Sequence, residues 1–148
     1  MQDLVFERRT LKTYLVEVAP ADLVVGHVYF RVAFIDEDMV VPEWTGLVFL
    51  GHDLSPQLPG LYFQDAESYF AGERADDEMW MSAVAEQEDA HGYSWISEHM
   101  RFDWVPARSK SSSVSDFEAA LEQLLACSLR RQQWDGSVRP IASKEDPP

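Results

Sequence analysis

Residues 26–35 alternate in the way a β-strand requires. Val28, Phe30, Val32 and Phe34 fall on one face at period two, and Tyr29, Arg31, Ala33 and Ile35 fall on the other. The polar turn Asp36-Glu37-Asp38 follows. Residues 39–41 begin a returning strand that Pro42 interrupts or holds at a sheet edge. The stretch TGLVFL, residues 45–50, resumes the β pattern. Two such segments joined by a short polar turn predict an antiparallel meander. Upstream, TYLVEV at residues 13–18 reads as a further short strand, ended by Ala19-Pro20.

Gly51, Pro56, Pro59 and Gly60 mark residues 51–60 as a loop. Residues 61–63 then read as strand, and 66–70 as strand or turn closed by Gly72. In this stretch Tyr62, Phe63, Tyr69 and Phe70 flank a polar centre, which fits two strand pieces around a bend. Residues 73–91 read as either helix or loop. A helix over about 76–90 would carry acids at its start, where the positive pole favours them. Residues 93–96 and 100–105 read as two more strands, with Phe102 and Trp104 on one face.

After a serine-rich linker, Ser115-Asp116-Phe117-Glu118 matches the capping box, Ser115 and Glu118 each satisfying the other's amide. The helix it opens runs over about 116–131. Phe117, Leu121, Leu124, Leu125 and Ser128 lie on its apolar face, and Arg130 and Arg131 at its negative end. The expected fold is α+β: a single domain over residues 1–134, with an antiparallel sheet and the C-terminal helix packed on one face. Phe117, Leu121, Leu124 and Leu125 are expected to meet Val28, Phe30, Val32 and Phe34. Residues 135–148, polar and carrying Gly136, Pro140, Pro147 and Pro148, read as a flexible tail.

The 148 residues carry 26 acids against 12 bases, a net charge of −14. That balance argues against nucleic acid, whose phosphates need a basic face, and against anionic membrane surfaces. The charge is unevenly spread. Residues 1–64 hold −5, residues 65–91 hold −8, and residues 92–148 hold −1. The dense segment contains Asp65, Glu67, Glu73, Asp76, Asp77, Glu78, Glu86, Glu88 and Asp89, with Trp80 among them and Trp95 just beyond. Concentrated acid keeps a protein soluble. It also steers a basic partner, and tryptophan is enriched at binding hot spots. The expected protein-binding residues are Asp65, Glu67, Asp76, Asp77, Glu78, Trp80, Glu86, Glu88 and Asp89.

No motif fixes a reaction. The acids lack EF-hand spacing, and neither HExxH nor a paired-cysteine zinc pattern is present, so no metal and no cofactor are expected. Phosphate loops, dinucleotide fingerprints and nucleophile elbows are absent too. Cys127, the only cysteine, sits late in the expected helix, where the negative pole disfavours thiolate; it reads as a packing residue. A lone cysteine forms no intramolecular disulfide and fits a reducing, cytoplasmic setting. The first nine residues do not read as a signal peptide, and no apolar run approaches the ~20 residues of a membrane-spanning helix.

Three functional readings follow. The first is a non-enzymatic module whose acidic segment meets a basic protein, an inhibitor or immunity-type role being one version. The second is a small hydrolase using Asp65, Glu67 or His52. The first two of these would share a strand face as paired carboxylates, and His52-Asp53 lies in a loop. The third is a homodimer paired through an exposed sheet edge.

Overall fold

The computed structural model describes residues 2–5, 9–12, 14–87 and 93–137, with the side chains at 84, 86, 87, 93 and 94 left undescribed. Strand β1, Val28–Phe34, runs antiparallel to β2, Pro42–His52, with Val28 opposite Val48 and Phe34 opposite Pro42. Pro42 is the first residue of β2, a position where a missing N–H is tolerated. The turn between the strands is built by Asp36. Its carboxylate accepts the N–H groups of Val40 at 3.1 Å and Val41 at 2.9 Å, across a left-handed Met39. Burial raises the Asp36 carboxyl, but these backbone donors outweigh it and hold the group below its ordinary pKa.

Strand β3, Gly60–Asp65, continues the meander beside β2. β4, Tyr93–Trp95, and β5, Arg101–Pro106, complete the sheet in the order β1-β2-β3-β5-β4, every neighbour antiparallel. β5 therefore takes the place beside β3, and the three-residue β4 forms the outer edge.

Both faces of the sheet are covered, which explains why β3 and β5 are buried almost throughout. On one face Tyr29, Leu47, Phe49, Leu61, Phe63 and Val105 pack with Leu23 and Val114, residues supplied by the connecting segments. On the other, Tyr62, Phe102, Trp104 and Ala83 form a second cluster, joined by Trp80 and Ile96.

The first face also carries charge. Asp103, fully buried, accepts from Arg101 Nε at 2.9 Å and Nη2 at 3.2 Å, and from Arg31 Nη1. Arg31 is on β1 and Asp103 on β5, with β2 and β3 between them. In a flat sheet three strand steps span roughly 14 Å, so this contact requires the sheet to curl towards that face.

Three helices sit on the opposite face. α1, Ala66–Phe70, lies over β2 at Gly46, where a Cβ would make an ordinary 3.5 Å contact with the Ala66 methyl. α2, Asp77–Gln87, lays Trp80 on Tyr62 and Phe102, with ring centroids 5.8 and 5.6 Å apart. α3, Phe117–Arg131, packs along β1, where Phe117 meets Phe30 and Trp44 at 5.6 and 6.0 Å. At its far end the Arg130 guanidinium stands 5.1 Å over Phe34. The chain is thus α+β, an antiparallel sheet with a C-terminal helix against one face.

Four local expectations change. Residues 14–18 form no strand; Val18 makes one backbone bond to Val114 at 2.9 Å instead of a ladder. Residues 66–70 are helical, because Asp65 accepts the Ser68 N–H at 2.9 Å and its hydroxyl at 2.6 Å, a local cap that outweighs the strand pattern. The cap of α3 is Asp116, which accepts from Ala119 N at 2.8 Å. Ser115 is displaced from that role because its own N–H and C=O pair with Phe30, both at 2.8 Å.

The expected meeting of α3 with the Val28/Phe30/Val32/Phe34 face of β1 forms, at Phe117–Phe30 and Arg130–Phe34, but the buried residue of β1 lies on its other face. Tyr29 is buried, whereas Val28, Phe30, Val32 and Phe34 are half-buried under α3. On α3 the buried positions are Ala120 and Cys127, while Phe117 is 54% exposed. Aromatics at the helix start hold the edge, and the small residues permit close approach. Residues 138–148, most of the expected tail, lie outside the described residues.

Candidate functional site

The acidic segment is distributed over the end of β3, α1 and the start of α2. Asp65 is committed internally: besides capping α1, its Oδ1 accepts the Arg101 N–H at 2.7 Å, tying β3 to β5. Glu67 is exposed on α1. Asp76 precedes α2 and accepts the Met79 N–H at 2.8 Å. Asp77 and Glu78 fill the first turn, exposed, at the helix pole that favours negative charge. Beneath them Gln64, almost wholly buried, donates from Nε2 to Ser68 Oγ at 2.9 Å and to the Glu73 carbonyl at 3.0 Å. That amide fixes α1 and the approach to α2 on the sheet. Glu86 lies in α2 without a described side chain, and Glu88 and Asp89 are outside the described residues.

The two tryptophans separate. Trp80, the aromatic expected within the acidic surface, is turned inward on Tyr62 and Phe102. Trp95 on the edge strand β4 is 58% exposed. It lines a groove of about 390 Å³ with Asp76, Glu78, Met79, Ser82 and Ile96. The groove combines an apolar floor with carboxylates at its rim, and it requires both α2 and β4. Sequence alone placed Trp95 after the acidic run. Its position opposite α2 depends on β4 pairing outside β5.

The enzymatic trio does not assemble. Register sets Leu47 opposite Asp65 and His52 opposite Leu61, five residues further along β2. At ~3.3 Å per residue that separation is roughly 16 Å. Asp65 and Glu67 also fail to share a strand face, since Glu67 is on a helix. Cys127 is buried in α3. Among the described residues, no three His, Cys, Asp or Glu side chains come together as a metal-binding group, and no helix is long and apolar enough to cross a membrane.

No protein-family model, curated protein or solved structure matches this chain.

Proposed function

We propose that this protein is a non-enzymatic binding module that docks a basic protein on the acidic surface of residues 65–91, and that its central contact is the groove between α2 and β4. The observation that carries the reading is the exposed Trp95 beside Asp76 and Glu78. A tryptophan face and a carboxylate together suit a lysine or arginine side chain, through cation–π attraction and a charge-assisted hydrogen bond. The −8 of residues 65–91 adds steering, which speeds encounter with a basic surface. An inhibitor or immunity-type role in the cytoplasm, masking a cationic site, is the concrete version. At physiological salt such steering acts within about 8 Å, so the association should be strongly salt-dependent. The test is recovery of partners on the tagged protein from its native cell at low and high salt. A stoichiometric basic protein held at low salt and shed at high salt supports the proposal. Partners that are acidic, or retained equally at both, refute it.

A further inference from the structure

At the end of the sheet away from Asp65, the β2–β3 loop and the segment after β5 enclose a cleft of about 240 Å³. Its walls are fixed by the backbone. The Asp53 N–H donates to the Gly60 carbonyl at 2.8 Å, and the Gly60 N–H to Asp53 Oδ1 at 2.7 Å, pinching the loop shut. The Ala107 N–H donates to the Pro59 carbonyl at 3.1 Å, joining the second wall to the first. Gly60 admits no side chain, since a Cβ would lie 2.2 Å from the Val105 carbonyl.

The polar groups in this cleft divide by sign. Among the lining residues the acid is engaged: Asp53 Oδ1 accepts the Gly60 N–H, while Ser111 donates its hydroxyl to Glu17 outside the lining. The bases are not. His52, its ring set edge-on against Phe49 at 5.1 Å, and Lys110 line the cleft with no hydrogen-bond or ion-pair partner among the described residues. Lys110 also stands in left-handed backbone, φ 59°, as does Asp53 at φ 51°. Aspartate visits this region readily, whereas for lysine it is uncommon and here ends the short 3-10 turn Ala107–Ser109. Both bases are solvent-exposed and share the lining with the Asp53 carboxylate, in a chain of net charge −14.

The geometry points to a small-oxyanion site: a phosphate or carboxylate group held between the His52 imidazole and the Lys110 ammonium. By volume the cleft matches about eight waters at ~30 Å³ each. That is below the ~300 Å³ at which sites for larger ligands begin, so the ligand is a small metabolite or the anionic end of one. This site is separate from the groove at α2 and β4, and neither depends on the other.

The test is NMR of the His52 imidazole, assigned by its loss in His52→Gln. Inorganic phosphate and, separately, acetate are titrated against sodium chloride of equal ionic strength. A saturable shift with phosphate, acetate or both supports the site, and the tighter arm names the source. Lys110→Gln should weaken it by about tenfold or more, the loss of one charge-assisted bond. Lys110→Gly should abolish it while raising Tm, because glycine relieves the left-handed strain. Linear shifts in both arms, no different from chloride, overturn the proposal, as does saturation unchanged in both Lys110 variants.

Discussion

Asp103→Asn should be among the most damaging single changes in this protein. The side chain is fully buried and receives Arg101 through two nitrogens and Arg31 through a third. Asparagine preserves the shape but removes the charge and turns an amide donor towards two guanidinium groups. Removing one partner of a buried ion pair costs about 3–5 kcal/mol, because the remaining charge stays desolvated. With a urea m-value of roughly 2 kcal/mol/M, the unfolding midpoint should fall by about 2 M. The surface pair Arg9–Glu118, at 3.0 Å and with side chains 41% and 67% exposed, is the control. Glu118→Gln should cost below about 1 kcal/mol, since water already screens that pair. Urea unfolding followed by tryptophan fluorescence reads both variants. If Asp103→Asn moved the midpoint no further than Glu118→Gln at equal m-values, the buried triad would carry no stability and the reasoning would fail.

Two adjacent residues separate the true cap of α3 from the apparent one. Asp116→Ala should cost ~1 kcal/mol by losing the Ala119 N–H, whereas Ser115→Ala removes a buried hydroxyl with no partner among the described residues and should be near neutral; thermal melts of both variants decide. Asp36 supplies a pH test. Its folded-state pKa is lowered, so its contribution is present above the unfolded value of ~3.9 and is lost as pH falls through the lower folded value. The gap in urea midpoint between wild type and Asp36→Asn should therefore hold from neutral pH to about pH 4 and close below it; a gap that widens with acid contradicts this. Sedimentation velocity over a range of concentrations should show a monomer, and growth of a species of twice the mass would place a second copy, rather than a basic partner, at the sheet edge.

The legible parts of the chain were those where local pattern and tertiary environment agree. β1 appears where the alternation placed it, because its turn chemistry and its neighbour β2 reinforce the same register. α3 appears within a residue of its expected start. Where two local signals competed, only the fold chose between them. Ser115 and Asp116 are both good caps, and the pairing of Ser115 with Phe30 left the role to Asp116. In the 66–70 stretch, the carboxylate of Asp65 turned an apparent strand into a helical turn.

The deeper-buried face of β1 was not legible, because a sheet covered on both sides gives no polar face to exclude. Arg31 lies on the Tyr29 face, and its guanidinium reaches the buried Asp103. The polar residues Arg101 and Asp103 inside an otherwise apolar strand were the signal for that network, but naming their partner needed the curl of the sheet. The acidic segment was legible as charge. Its groove was not, since Trp95 joins it only through the β5-β4 pairing. Likewise His52 and Lys110 are 58 positions apart in the chain, and only the ends of β2 and β5 bring them to one cleft.

On this proposal the groove between α2 and β4 receives a basic partner. The most direct test is quantitative capture from the native cell by wild type, by Asp76→Lys/Asp77→Lys/Glu78→Lys, and by Trp95→Ala, with folding of each checked by circular dichroism. Loss of the same basic protein in both variants, with the charge reversal also removing the salt dependence, is the predicted result. Capture of that protein at wild-type level by the charge-reversed variant would contradict the claim.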